Sequence, residues 1–311
     1  MLNKLALVAA FATLLLLPLP GAHLPALADD VPISSAPVLT IHSTGGTIHI
    51  YSADAAAVHV RPGVGGQRIG VSRFTPGQFT NAPMLPAQQV CRGIGRRFRC
   101  YRLPARQFSV PQALYGSEGV HLENPGGDMS VGVPNHVGAI FINAEQGNVE
   151  VEKLRGPFII QASGGDVHLK NVLGRGLIRT TAGNITLAGV GGDVHLVTLG
   201  GAITVFGSYA SKADVQSDSG PITWRFAHMG SGPYKFASQQ GAIHLQFLPG
   251  VAAQVDAQSP GGTVTNLLPG APAVASPQQA MSIAVNGGGP EITVTSAGGD
   301  ITIEQVAPPQ Q

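Results

Sequence analysis

The sequence predicts an all-β protein built as a single parallel β-solenoid with about 18–21 residues per turn. Glycine recurs every nine residues through the middle of the chain, at positions 147, 156, 165, 174, 183, 192 and 201. After alternate glycines the chain reads apolar, polar, apolar, which is the period-two pattern of a strand with one buried face. The composition, with 42 glycines, 24 prolines and 11% charged residues, favours strands and turns over helices.

The nine-residue spacing aligns the strands of successive turns. Two columns of apolar residues result, and we expect both to point into the core: Val149, Val167, Ile185 and Ile203, then Val151, Leu169, Leu187 and Val205. Two short strands make one turn of the coil, and glycine occupies the corners where the backbone bends tightly. Each strand pairs with its equivalent about 4.8 Å away on the next turn. Stacking therefore buries apolar faces that no single turn could bury.

Further copies of the glycine-headed strand occur on both sides of this region. They begin at Gly46, Gly127, Gly220, Gly241, Gly262 and Gly299. About ten turns follow from the count, which makes a rod about 45–50 Å long at the spacing of paired strands. We place the first turn at 37–60 and the other repeats at 119–306, with a Pro/Ala-rich loop at 268–280 outside the stack and a disordered tail at 307–311. Trp224 falls in an inward column and is predicted to fill the core.

The first 28 residues have the features of a secretory signal peptide. Lys4 is followed by an apolar stretch from Leu5 to Leu17, and the small residues before Asp29 suit a signal peptidase, so we place the cleavage after Ala28. An uncleaved anchor is the alternative, but the stretch is short and interrupted by proline, and no later apolar run is long enough to span a bilayer. We expect an exported protein, secreted, periplasmic or at the cell surface, with no membrane span after the signal is removed.

An arginine-rich insertion at 61–118 separates the first turn from the rest. Residues 61–117 contain nine arginines and no acidic residue, whereas the rest of the chain after the signal holds 8 basic and 17 acidic residues. A charge asymmetry of this kind is informative about binding partners.

Within the insertion, VCRGIGRRFRCY predicts a hairpin closed by a disulfide. Cys91 and Cys100 are the two cysteines of the chain, and an even number in an exported protein favours a disulfide. Pairing them leaves a two-residue turn at Gly95–Arg96 that suits type II′ geometry, and it makes 91:100 a close pair that a disulfide can bridge. Arg92 then lies opposite Arg99, which is unfavourable unless anions or solvent intervene.

Two interpretations of these arginines stay open. In the first, the insertion packs over the acidic solenoid or caps its end, and the charges cancel within the molecule. In the second, the hairpin binds a polyanion outside the cytoplasm, such as a glycan, a lipid phosphate or DNA, because arginine forks fit phosphate and carboxylate groups. The predicted binding residues are Arg92, Arg96, Arg97, Arg99, Tyr101 and Arg102.

The repeats predict no catalytic or metal site, and we expect neither an enzyme nor a cofactor. Enzymes that cleave acidic polysaccharides need clustered carboxylates, but the spacing places Asp193 beside Arg175 and no two carboxylates on adjacent turns. Asp166 and Asp300 directly follow a glycine, where Asp is a turn former, and not two residues later as in calcium-binding repeats. His168 and His244 are about four turns apart, too far to share a metal.

The strand LTIHSTGGTIHIY and the run from DMSVGVPNHVGAIF to SGGDVHLKNV resemble the bacterial "putative adhesin" β-strand-repeat family, a domain of unknown function. The resemblance covers about residues 37–60 and 119–306. It implies a parallel, right-handed β-helix on exported or surface proteins, and it transfers no catalytic residues. The leading hypothesis is a non-enzymatic adhesin or envelope-binding module. The alternatives are a periplasmic sensor or scaffold of an envelope-stress system, with a protein partner on the solenoid face, and then a polysaccharide lyase or hydrolase.

Overall fold

The computed structural model describes residues 29–33, 36–53, 56–63, 66–74, 118–271 and 278–308, and the backbone of 89–94 and 97–102. The predicted signal peptide with its cleavage site at Ala28 lies outside these residues, as do the turn at Gly95–Arg96 and the predicted tail from 309 onwards. Every regular element within the described ranges is a β-strand.

The strands are numbered along the chain. The first nine are β1 (Asp29–Pro32), β2 (Val38–Ser43), β3 (Ile48–Ser52), β4 (Ala57–Pro62), β5 (Gly70–Phe74), β6 (Gln89–Ile94), β7 (Arg97–Arg102), β8 (Gly119–Asn124) and β9 (Met129–Val133). The next eight are β10 (Ala139–Ala144), β11 (Val149–Glu152), β12 (Phe158–Ala162), β13 (Val167–Lys170), β14 (Gly176–Thr180), β15 (Ile185–Ala188), β16 (Gly191–Thr198) and β17 (Ile203–Ser217). The last eight are β18 (Ile222–Phe226), β19 (Tyr234–Ser238), β20 (Ile243–Phe247), β21 (Ala253–Gln258), β22 (Val264–Leu267), β23 (Ala280–Val285), β24 (Glu291–Ser296) and β25 (Ile301–Gln305).

Apart from β6 and β7, these strands form two ladders around one apolar core, joined through the long strand β17. Sheet 1 contains, in spatial order, β5, β8, β2, β10, β12, β14, β16, the second half of β17, β19, β24, β21 and β23. Sheet 2 contains β1, β4, β9, β3, β11, β13, β15, the first half of β17, β18, β20, β25 and β22. One strand from each sheet makes a turn, and the turns stack in parallel. The predicted all-β solenoid is confirmed.

The predicted inward columns lie in register. Val167 pairs with Val149 on one side and with Ile185 on the other, and Leu169 pairs with Val151. All five residues are at most 3% exposed. Alternation along each strand therefore directs one column of every strand into the shared core.

The turns do not stack in chain order at either end of the coil. The turn made by β2 and β3 lies between the turn of β8 and β9 and the turn of β10 and β11. The last turn, β24 and β25, likewise lies between the turn of β19 and β20 and the turn of β21 and β22. The first and the last turn of the sequence are therefore each second from an end of the stack. Each has another turn on both sides.

Glycine is required at the corner that leads from sheet 1 to sheet 2. The glycines stack directly on one another, in the spatial order Gly127, Gly46, Gly147, Gly165, Gly183, Gly201, Gly220, Gly241, Gly299 and Gly262. A β-carbon at Gly183 would lie 1.8 Å from the carbonyl oxygen of Gly165. Such a contact is with backbone, so no rotamer change can relieve it. The glycine repeat in the sequence is thus a steric requirement of the stack.

Antiparallel strands cover the ends of the coil. At the end formed by β8 and β9, β5 pairs with β8 in sheet 1, while β4 and then β1 continue sheet 2. At the other end, β23 pairs with β21, and a bridge joins Val264 to Gln278 beside β22. Capped edges present fewer free backbone groups to another chain than open ones. The segments that were predicted as part of the first turn (57–60), the insertion (70–74) and the loop (280) contribute to these caps.

Large aromatic side chains fill the core where the turns become longer. Trp224 is 0% exposed, which confirms its predicted core position. Its ring meets Phe236 edge-on at 5.3 Å between centroids, and the neighbouring Phe226 stacks on Phe247 at 4.9 Å. The indole Nε1–H of Trp224 has no hydrogen-bond partner in the described part of the chain. The indole therefore contributes through packing alone.

Replacing Trp224 with alanine is expected to lower the free energy of unfolding by about 3–5 kcal/mol, because the lost ring leaves a cavity among aromatic neighbours. Trp224→Phe is the matched control: it keeps an aromatic ring and removes the unpaired donor, so its cost is expected to be much smaller. Denaturant unfolding followed by circular dichroism measures both. Equal losses for the two variants would contradict the packing role.

Candidate functional site

The predicted arginine-rich hairpin is present in the backbone. Strands β6 and β7 are antiparallel, with Cys91 opposite Cys100, Arg92 opposite Arg99 and Ile94 opposite Arg97. The same register sets Val90 opposite Tyr101 and Gln89 opposite Arg102. The pairs Cys91–Cys100 and Arg92–Arg99 are the ones that the sequence predicted. The side chains of the hairpin and the turn residue Arg96 lie outside the described residues, so the disulfide and the anion contacts stay predictions.

The insertion that carries the hairpin leaves and rejoins the solenoid at one edge of sheet 1. Phe74, the last residue of β5, pairs with Gly119, the first residue of β8. A β-carbon at Gly119 would lie 2.3 Å from the ring of Phe74, so the ring lies against the glycine. The two ends of segment 75–117 therefore start side by side above the first turn of the stack.

Two arginines near the start of the predicted insertion hold the cap strand β1. Arg61 Nη1 lies 2.8 Å from Asp30 Oδ1, and His59 Nδ1 lies 2.8 Å from the same oxygen. Arg73 donates a hydrogen bond of 2.8 Å to the carbonyl of Pro32. The Arg61 and His59 hydrogen bonds lower the pKa of Asp30, and the bond to Asp30 raises the pKa of Arg61. These two arginines thus have a structural role, unlike the one predicted for the hairpin.

Next to the same edge, the outer face of sheet 1 carries a histidine–glutamate network. His42 Nδ1 lies 3.0 Å from Glu123 Oε1, and His42 Nε2 lies 3.4 Å from Glu145 Oε1. His121 contacts Glu123 at 3.2 Å and Thr40 at 2.8 Å. The network exists because the turn of β2 is inserted beside β8. Sequence spacing could not predict it without the order of the turns.

The carboxylates that follow the corner glycines act within the fold. Asp166 Oδ1 accepts the backbone N–H of Asn184 on the next turn at 2.7 Å, and Asp300 Oδ1 accepts that of Thr263 at 2.8 Å. The backbone hydrogen bond from Thr263 is the main cause that lowers the pKa of Asp300. Both carboxylates therefore hold adjacent turns of the stack together, at positions where the sequence predicted turn formers. Asp193 lies beside Arg175 as predicted, with 3.9 Å between Asp193 Oδ2 and Arg175 Nη2.

The outward histidines lie where the repeat predicted them. His168 pairs with Thr186 and His244 with Thr223, on turns that are four apart in the stack. In the ranges that the structure describes, no group of three or more His, Cys, Asp or Glu residues is placed to hold a metal ion. Nor does any described helix have the length and hydrophobicity to cross a membrane.

Sequence reasoning missed a set of apolar residues on the outer face of sheet 1. We call it the outer patch, and its members lie on four adjacent turns: Phe141, Ile159, Leu177 and Val197. Ile159, Leu177 and Val197 are each 4% exposed. The available signal was the run Phe158-Ile159-Ile160, which breaks the alternation expected of a strand with one solvated face.

The stacked all-β solenoid agrees with the comparison with known protein families. The chain belongs to the Toastrack DUF4097 family, whose model matches residues 115–304. This supports the predicted resemblance to a β-repeat domain of unknown function. No curated protein matches the sequence. A solved structure, a "putative cell adhesion protein" from Clostridium sporogenes ATCC 15579, is 8% identical with a TM-score of 0.27, covering 90% of this chain and 98% of that chain.

Proposed function

We propose that the protein is an exported, non-enzymatic adhesion or binding module of the cell envelope, and that the hairpin of β6 and β7 is its polyanion-binding site. The observation that carries the proposal is the register that sets Arg92 opposite Arg99. Like charges on directly opposed residues destabilise a strand pair, and an anion bound between them would reverse the sign of that contribution. The guanidinium forks fit the oxygens of a glycan carboxylate, a lipid phosphate or the DNA backbone.

In this proposal the solenoid is the scaffold that carries the hairpin. A disulfide between Cys91 and Cys100, which are opposite each other in the backbone, closes the hairpin. The coil is right-handed, as the family resemblance implies, and signal cleavage after Ala28 releases a chain that begins with the cap strand β1. The carboxylates of Asp166 and Asp300 already accept backbone hydrogen bonds, which favours a scaffold over a hydrolase or lyase.

The second candidate is a periplasmic sensor or scaffold that binds a protein through the solenoid surface. It is favoured by exposed apolar side chains at one corner of the coil. Tyr209 is 54% exposed and stacks on His228 at 5.3 Å between ring centroids, and Leu173, two turns away, is 42% exposed. Aromatic side chains are enriched in the anchors of protein interfaces. This candidate predicts co-purification with an envelope protein and indifference to polyanions.

Binding of heparin and lipopolysaccharide by the chain from Asp29 onwards tests the leading proposal. Replacing Arg92, Arg97 and Arg99 with serine is expected to weaken binding at least tenfold, and the wild-type affinity is expected to fall as salt is raised. The matched control replaces three exposed arginines outside the hairpin with serine, which changes the net charge equally: Arg68, Arg155 and Arg175.

Each outcome of this comparison assigns a role to the hairpin arginines. Loss in the hairpin variant alone supports the binding site. Equal loss of binding in both variants would show that net charge alone drives the binding. If neither the wild type nor any variant binds, the hairpin arginines have a structural role, and the sensor or scaffold is favoured.

A further inference from the structure

The cap strand β23 is itself an edge of sheet 1. On one side it pairs with β21, from Ala253 opposite Val285 to Gln258 opposite Ala280. On its other side no strand pairs with it in the part of the chain that the structure describes. Its six residues, AMSIAV, include no charge and no proline. A strand of this kind is a template on which another strand can add.

The three other edges of the two sheets have features that oppose strand addition. The edge strand β1 contains two aspartates and a proline within Asp29–Pro32. The edge strand β5 contains Arg73, whose side chain donates to a carbonyl of β1. The edge strand β22 has four residues, and its Val264 N–H already donates to the carbonyl of Gln278 at 2.7 Å. Charge, proline and short length are the usual protections of a native edge, and β23 has none of them.

The register of β21 and β23 determines which backbone groups of β23 point outwards. The N–H of Ser259 donates to the carbonyl of Gln279 at 2.7 Å, so these two residues form a hydrogen-bonded pair. Such pairs alternate along an antiparallel ladder with pairs whose backbone groups point away from each other. On the other side of β21, the N–H of Gln254 accordingly donates to Pro290 beside β24 at 3.0 Å. Three residues of β23 therefore direct their N–H and C=O groups away from β21: Ala280, Ser282 and Ala284.

We propose that β23 pairs with β23 of a second copy of the chain, antiparallel and around a two-fold axis at Ser282. Ser282 then lies opposite Ser282 of the second copy, and Ala280 lies opposite Ala284 of the second copy. Each of these residues exchanges both of its outward backbone groups with the other chain. Because the two copies use the same strand, the interface is isologous and closes at a dimer.

The side chains on both faces of β23 suit this pairing. On the solvent face, exposed alanine and serine side chains meet one another without steric conflict. On the core face, Met281 lies opposite Ile283 of the second copy, and both already pack against the core of their own coil. The one charge on β21 is Asp256, which accepts a hydrogen bond from Ser282. The two copies of Asp256 are three strand spacings apart, about 14 Å, where salt screens their repulsion.

This dimer joins sheet 1 of the two copies end to end. The pair of Phe74 and Gly119, from which the arginine-rich insertion leaves the coil, lies at the end of sheet 1 opposite to β23. The two insertions therefore start from the far ends of a double-length rod, up to about 110 Å apart at the spacing of paired strands. A rod of this kind can contact two points of a surface or polymer at once. The pairing goes beyond the proposed function and does not depend on it.

Light scattering coupled to size-exclusion chromatography tests the dimer, with protein expressed from the full coding sequence. The wild type is expected to have twice the mass of one chain. Ser282→Pro is expected to weaken dimerisation at least tenfold, because it removes the donor at the two-fold axis and places a ring at the edge. The ring is compatible with the single chain, since this N–H has no partner in β21. Ser282→Ala is the matched control: it loses the same hydroxyl, keeps the N–H and is expected to remain dimeric.

A pair of charge variants tests the register. Ala280→Lys/Ala284→Lys places like charges opposite each other across the interface and is expected to give monomers, whereas Ala280→Lys/Ala284→Glu places opposite charges there and is expected to give dimers. Circular dichroism checks that both remain folded. A monomeric wild type, a dimer that none of these variants weakens, or a polymer in place of a dimer would overturn the proposal. Polyanion binding is measured separately on the same proteins and can succeed or fail in either case.

Discussion

Replacing Gly201 with alanine is expected to lower the free energy of unfolding by about 3 kcal/mol or more, a large effect for the addition of one methyl group. The new β-carbon would lie 2.0 Å from the carbonyl oxygen of Gly183 and 2.5 Å from its carbonyl carbon. Both atoms belong to the backbone of the adjacent turn, which is held by strand pairing on either side of the corner. The two turns must therefore separate, and the cost cannot be avoided by a rotamer change. Denaturant unfolding of the chain from Asp29 measures it.

The neighbouring glycine provides the control. A β-carbon at Gly200 would have its nearest contacts at 3.6 Å, to Thr181 O, and 3.9 Å, to Ala182 Cα, which are ordinary van der Waals distances. Gly200→Ala is therefore expected to change the stability by less than about 1 kcal/mol, and it can even stabilise the protein by restricting the unfolded chain. A similar cost at both positions would show that the corner is sensitive to any substitution and not to the direct stacking of one glycine column.

The core columns could be predicted from the sequence because each turn repeats the same local pattern. The spacing that aligned Ile185 with Ile203 depends only on alternation and on a glycine at every corner, and the structure pairs these two residues. The hairpin could be predicted for the same reason, because its strand pairing depends only on residues close together in sequence. Once Cys91 is set opposite Cys100, the positions of Arg92 and Arg99 follow by counting from the turn.

The order of the turns could not be predicted in the same way. The strand Gly46-Thr-Ile-His-Ile has the same apolar pattern as any other turn, so it can stack equally well on several partners. Chain connectivity favours neighbours in sequence, but antiparallel caps such as β5 beside β8 occupy the end of the stack. Every contact that depends on the order was consequently missed, including the one between His42 and Glu123. The outer patch was missed because the repeat predicts strands with one buried face, and Ile159 lies on the other face.

The inserted position of the last turn leads to the second large effect. Val294→Asp places a carboxylate at a position of β24 that is 0% exposed, between Phe236 and Ala257 on the two adjacent strands. An unpaired polar group there is expected to cost at least about 3 kcal/mol. Because β24 and β25 join the turn of β21 and β22 to the rest of the stack, the amides of 253–267 are expected to lose protection. Hydrogen exchange read by mass spectrometry should show their exchange at least a hundredfold faster.

Val255→Asp is the reciprocal variant and makes the test directional. Val255 is also 0% exposed, but β21 lies beyond β24 in the stack. Its substitution is expected to unprotect 253–258 and the paired β23 while 291–305 stays protected by β19 and β20. A stack in chain order predicts the opposite asymmetry, since Val294 would then be in the terminal turn and Val255 inside it. If Val255→Asp unprotects 291–305 while Val294→Asp spares 253–267, the inserted order is wrong.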